Sequence, residues 1–178
     1  MVAGAAPLAV DFANTRRRRG AEYQELVRSG SDLAAWAERA GGRVPLLSAE
    51  AAQRRLADVR ALRDEVFELL RAAVRGQSAP AERVNAALRA VPLVPQLEPD
   101  GSARLRAPRA ADPLDELLAR VAASAIELAT APDSPLALCD APSCGRFFMR
   151  HRRDQRWCGP ACGTRARVAR HAAQRKAR

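Results

Sequence analysis

All four cysteines of this chain fall within residues 139–162, in the order Cys139-x4-Cys144-x13-Cys158-x3-Cys162. Two close pairs separated by a short span is the arrangement that a tetrahedral Zn²⁺ site requires. Each pair supplies two thiolates from one tight turn, and the intervening residues bring the second pair back. The other use of such pairs, two disulfides, belongs to a secreted chain. The opening MVAGAAPLAV lacks a basic segment and runs into Asp11, so it reads poorly as a signal peptide. No apolar run approaches the roughly 20 residues that span a bilayer. The expected compartment is therefore a reducing cytoplasm, without membrane association, where paired cysteines hold metal more often than they form disulfides. We expect one structural Zn²⁺ per chain on Cys139, Cys144, Cys158 and Cys162, because four thiolates leave no open position for catalysis. His151 lies in a charged turn and His171 lies well past Cys162, so both read as solvent-facing or phosphate-contacting rather than as ligands.

Charge concentrates in the same place. Residues 139–178 carry eleven Lys and Arg against the two acids Asp140 and Asp154, which leaves the rest of the chain close to neutral. Only Lys176 among the thirty basic residues is a lysine, a skew that fits G+C-rich coding better than a demand for guanidinium. At 178 residues, with 48% hydrophobic and 28% charged residues, the chain suits one main globular domain with a small one appended.

Before the cysteines the pattern is helical. One amphipathic helix follows Ser31, placing Leu33, Trp36, Ala37 and Ala40 on one face and stopping at Gly41 and Gly42. A long helix starts after Ser48, repeats apolar residues from Leu56 through Val59, Leu62, Val66 and Leu70, and ends at Gly76. A third runs over residues 80–90. A fourth has Asp112 as cap and Pro113 at its first position, and Pro132 closes it. Residues 93–97 and 103–107 flank Glu98, Pro99, Asp100 and Gly101 and read as a small β-hairpin, with Pro95 confining its strand to an edge. The fold class is mainly α (α+β): a helical domain over residues 1–132 and a treble-clef-like zinc finger over 136–178. Pro132, Asp133, Ser134 and Pro135 mark the boundary. Within the finger, residues 146–149 and 155–158 read as two short strands about the turn 151–154. Phe147, Phe148 and Trp157 fill its core, since a unit this small does not fold on apolar burial alone. A helix from Pro160 to about Lys176 follows, with Cys158 and Cys162 one turn apart.

That last helix carries the functional expectation. Arg167, Arg170, His171, Gln174 and Arg178 fall at i, i+3, i+4, i+7 and i+11, one stripe suited to a major groove, with Arg165 beside it. Ala166, Ala169 and Ala173 lie elsewhere on the helix and are expected to pack on the finger. Arg146, Arg150, Arg152, Arg153 and Arg156 would contact phosphates. The partner expected is double-stranded DNA, in the nucleoid. The alternative is a zinc-bearing module whose basic helix meets RNA or an acidic protein. The finger has no aromatic residues beyond those of its own core, which disfavours single-stranded RNA, commonly read by stacking. An enzyme is not expected: no Ser-His-Asp spacing, Gly-rich phosphate loop or set-apart carboxylate pair occurs.

These residues resemble a bacterial family with an N-terminal ABATE domain and a C-terminal CGNR zinc finger. The likeness rests on Leu138, Cys139, Asp140, Cys144, Gly145, Phe147 and Phe148, then Arg156, Trp157 and Cys158, then the run from Cys162 through Gly163, Thr164, Arg165 and Ala166. At the other end, Leu8-Ala9-Val10-Asp11-Phe12-Ala13-Asn14-Thr15 looks like the family's opening motif, and Leu33, Ala34, Trp36, Leu62 and Arg63 stand where it has them. The chain departs from the naming motif at Thr164, where the family has asparagine, and its second cysteine pair and inter-pair span are shorter than usual. The resemblance implies a stress-linked transcription regulator whose finger binds DNA and whose N-terminal domain senses a small-molecule or protein signal. It singles out Asp11, Asn14, Thr15 and Arg16 as a candidate ligand-binding cluster. The plainer use of the same residues is capping of a helix after them by Asn14 or Thr15, with Asp11 paired to one of the arginines at 16–19.

Overall fold

The computed structural model describes residues 6–19 and 22–176. The opening residues of the chain and Arg178 of the basic stripe lie outside that range. In chain order the elements are α1 (Leu8–Ala13), β1 (Arg16–Arg19), β2 (Glu22–Glu25), α2 (Gly30–Arg39), α3 (Ala49–Arg54), α4 (Leu56–Arg75), α5 (Glu82–Ala90), β3 (Val94–Leu97), β4 (Ala103–Arg106), α6 (Pro113–Thr130), β5 (Leu136–Leu138), β6 (Phe147–Met149) and α7 (Pro160–Lys176).

The two long helices form the centre because their apolar residues recur at three- and four-residue spacing. Val59, Leu62, Val66 and Leu70 of α4 meet Leu117, Val121 and Ala125 of α6, with α5 inserting Val84 from the side. Helix starts and stops follow local chemistry. Asp112 accepts hydrogen bonds from the Leu114 and Asp115 amides at 2.9 and 3.2 Å, and Pro113 opens α6. Gly76 ends α4 at φ +63°, a left-handed conformation that glycine adopts without steric cost.

Several expectations are corrected. The cap of α2 is Ser29, not Ser31: its hydroxyl accepts from the Asp32 amide, and Asp32 reaches back to the Ser29 amide at 3.0 Å, a reciprocal capping box. The long helix predicted from Ser48 is two, broken at Arg55. The break lets α3 cross α2 at Gly30, where any Cβ would overlap the Ala49 carbonyl and where the Gly30 amide donates to Gln53 Oε1 at 2.7 Å. Arg55 then ties the corner to α6 through Asp115 at 2.6 Å.

Two elements have no counterpart among the expectations from sequence. Helix α1 is buried except at Asp11, with Phe12 tilted against Trp36 at a ring-centroid distance of 5.1 Å. No helix comes after Asn14 and Thr15 for them to cap. The chain enters the β1–β2 hairpin, whose facing pairs include Arg16 with Glu25 and Arg18 with Tyr23. The far end of β2 is held by Arg63, which is almost fully buried and pairs with Glu25 at 2.6 Å. The β3–β4 hairpin forms as read and is exposed throughout. No helix among the described residues is long and apolar enough to cross a membrane.

Candidate metal centre and basic helix

The finger begins as a strand of the bundle's surface. Strand β5 pairs antiparallel with β6 in the register Leu136–Met149, Ala137–Phe148 and Leu138–Phe147. The predicted pairing of residues 146–149 with 155–158 does not form. The first cysteine pair sits in the connection between β5 and β6, and the segment after the turn only touches it, the Asp140 amide donating to the Arg156 carbonyl at 3.2 Å. Because side chains alternate across a strand, β6 has two different faces. Phe147 points into the bundle, edge-on to Phe67 with centroids 5.0 Å apart. Phe148 points the other way and joins Ala137, Trp157 and the cysteines in a second cluster. Phe147 is thus not finger filling, contrary to the expectation from sequence. The main apolar core crosses the segment read as a domain boundary, since Leu136 and Phe147 both belong to it.

Two left-handed residues, Ser143 and Gly145, each at φ +61°, turn the chain on either side of Cys144. The Cys144 amide donates to the Ala141 carbonyl and the Cys139 amide to the Arg146 carbonyl, which points the first two sulfurs inward. The second pair comes from the start of α7, Cys158 just before it and Cys162 in its first turn. Around the site, Sγ separations are 3.8 Å for Cys144–Cys158 and 3.6 Å for both Cys158–Cys162 and Cys162–Cys144. All four sulfurs lie within 4.8 Å of one another. Tetrahedral Zn–S bonds of about 2.3 Å give an edge of about 3.8 Å between sulfurs. A disulfide would bring two sulfurs to about 2.05 Å, and all four cysteines are free. Cys139 Sγ also accepts the Cys158 amide at 3.4 Å, as a thiolate does. Burial, then the neighbouring sulfurs, push the Cys158 thiol far above its ordinary pKa. A divalent cation removes that penalty by binding the thiolates directly. The donor set and its spacing fit one structural Zn²⁺.

Beyond the metal the chain is bare. From residue 167 to 175 every side chain of α7 is exposed, Val168 included. Ala169 and Ala173 therefore do not pack on the finger; Ala166 is half-buried. Among the described residues the helix is held at its first turns, by Cys162, by Gly163 against the Trp157 ring and by Arg165, which donates to the Pro142 carbonyl at 3.0 Å. Arg167, Arg170, His171 and Gln174 share one open face, where Arg167 also reaches Thr164 Oγ1 at 3.1 Å. Arg152 and Arg153 are exposed in the turn before Cys158.

The N-terminal cluster divides. Asp11, Asn14 and Thr15 line one cleft of about 270 Å³, whereas Arg16 faces away from it, near Asp64 at 3.3 Å and stacked 4.3 Å over Tyr23. Asp11 pairs with Arg43 at 2.8 Å rather than with the arginines of β1. Thr15 donates to the Phe12 carbonyl at 2.7 Å. Asn14 has a use the sequence did not reveal: Nδ2 donates to the Phe147 carbonyl at 2.9 Å and Oδ1 accepts the Phe147 amide at 3.0 Å. One buried amide thereby clamps the main chain of β6 from 133 residues away, and no local pattern signals such a pairing.

Fold and site together define a helical protein with a structural four-cysteine zinc finger packed on its side. Residues 6–132 match the ABATE family, described as "Putative stress-induced transcription regulator", and residues 136–175 match the CGNR zinc finger. The chain belongs to the ABATE family and carries a CGNR finger at its C-terminal end. A comparison with curated proteins finds no match.

Proposed function

We propose that this chain is a non-catalytic transcription regulator of the cytoplasm and nucleoid that binds duplex DNA through its finger, with the N-terminal part receiving a signal. The observation that carries the reading is α7: a basic helix fixed in direction by two zinc ligands and left, among the described residues, without protein partners along its outer length. An outer length exposed on every side gains little from its own chain, and a groove lined with acceptors is the partner its basic face suits. Arg167, Arg170, His171 and Gln174 would meet base edges, Arg152 and Arg153 would meet phosphates, and Arg165 would hold the helix to the knuckle while facing the backbone. The description of the matched family as a transcription regulator supports the same reading.

Binding titrations at several salt concentrations test it, using a selected site, a scrambled duplex and a duplex RNA. Arg152→Ala or Arg153→Ala should weaken all duplexes alike and reduce the salt slope by about one phosphate. Arg170→Ala or Gln174→Ala should erode preference among sequences by about 1–3 kcal/mol per lost base contact. Equal shifts on every duplex would reduce the stripe to a counterion surface, and tighter binding to RNA would replace the DNA reading.

A further inference from the structure

The cleft that holds Asp11, Asn14 and Thr15 is built from parts far apart in sequence: β1, the segment after β2, α2 and Arg146 beside strand β6. Its polar groups fall into two sets. Asp11 and Arg43 neutralise each other, Arg43 further donating to the Ala6 and Ala40 carbonyls. Asp32 is committed to capping α2. The second set is Arg17 of β1, Arg39 of α2 and Arg146 just before β6, three exposed arginines with no acidic partner among the described residues. Between them lies an apolar wall of Val27, Trp36 and Ala40, all nearly buried. Unpaired guanidiniums that line one cleft favour an anion, which their planar forks grip in pairs of hydrogen bonds. A cleft with an aromatic wall and a few polar groups aimed into it is the usual form of a small-molecule site.

We propose that this cleft binds a small organic anion, its carboxylate or phosphate held by Arg17, Arg39 and Arg146 and its apolar body laid against Trp36. The inference deepens the reading of the N-terminal part as the receiver of a signal and names the chemistry of that signal. Asn14 and Thr15 are walls of the site rather than its grips, since their polar atoms are already bonded within the protein. Arg146 directly precedes Phe147, whose main chain Asn14 clamps. An occupant therefore bridges the helical part and the finger at the strand that joins them.

The chain has two indoles, Trp36 in the cleft and Trp157 in the finger, so ¹H–¹⁵N spectra of the zinc-loaded, full-length protein separate them. Titration with benzoate and phenyl phosphate should shift the Trp36 indole saturably and leave Trp157 in place, while neutral benzamide does neither. Arg39→Ala and Arg146→Ala should each weaken the titration about tenfold or more, as expected for losing a charge-assisted hydrogen bond, and Arg39→Lys should recover part of it. Both residues are exposed, and the two indole signals report that the variants remain folded. Benzamide acting as well as the anions, or alanine variants binding them as tightly as the native chain, would overturn the proposal. So would variants that lose duplex affinity while retaining the anion, because the arginines would then be nucleic-acid contacts. The titration contains no nucleic acid, so it gives its answer even if the DNA reading fails.

Discussion

The bundle and the finger reach a fixed structure by opposite means. Residues before the first cysteine are close to charge-neutral and bury a continuous apolar core running from Leu8 to Leu128. The finger buries little more than Ala137, Phe148 and four sulfurs, carries most of the net charge, and relies on a metal. Apolar burial is non-directional and tolerates a helix breaking or turning, as at Arg55. Metal coordination is directional and fixes four sulfurs to tenths of an ångström. The contrast explains why a bare basic helix grows from the finger: coordination holds one turn of α7 rigidly while leaving the rest uncovered. Strand β6 belongs to both regimes, one face in each.

The largest expected effect comes from removing the metal. Zinc binding in small fingers supplies on the order of 10 kcal/mol of folding free energy. Chelated protein should lose order in the finger while the α4–α6 signal in circular dichroism persists, and elemental analysis of the native protein should give one zinc per chain. A melt in which both regions vanish together on chelation would break the contrast.

The shared strand comes next. Phe147→Ala should cost about 3–5 kcal/mol, as for other buried aromatic truncations. Asn14→Ala should cost about 1–3 kcal/mol for each main-chain group of Phe147 left without its partner. Thermal melting reads both. A chain ending at residue 132 sharpens the same point: we expect a cooperative transition at lowered temperature, because Phe67 is uncovered but the α4, α5 and α6 interfaces are complete. Loss of cooperativity would mean that finger and bundle are one folding unit.

A smaller effect comes from Glu25. Burial opposes its ionisation, yet Arg63, the Val27 amide and Arg60 outweigh burial and hold its carboxyl below the ordinary range. A lowered folded-state pKa gives stability that is present above the unfolded-state value and lost as pH falls through the folded one. Glu25→Gln should therefore flatten the acid limb of a stability-against-pH curve and leave the alkaline limb unchanged. The smallest effect belongs to α7 itself: Arg170→Ala should change stability by no more than about 0.5 kcal/mol, whatever it does to DNA affinity. A large stability loss there would reveal a protein partner for the helix that the fold does not show.

How much was legible differs element by element. Helix α6 was readable to the residue because Asp112, Pro113 and Pro132 act through bonds to their near neighbours. Helix α1 was not, since six residues with a single polar one, Asp11, are too few to show a period. The β1–β2 hairpin was hidden for another reason: RRRR and EYQE carry no apolar alternation. In the candidate site, the four ligands were legible from spacing alone, whereas the partner strand of β6 was misread because aromatic content does not say which strand lies alongside.

The sequence by itself determined the metal ligands, the cap of α6 and the charge of the last helix, all of which depend on residues within one short stretch of chain. Only the tertiary structure decided that Phe147 enters the bundle, that Asn14 clamps its backbone and that Arg17, Arg39 and Arg146 share a cleft. Those relations join segments from tens of residues to more than a hundred apart, and they exist only once apolar burial has folded the helices and coordination has fixed the finger against them.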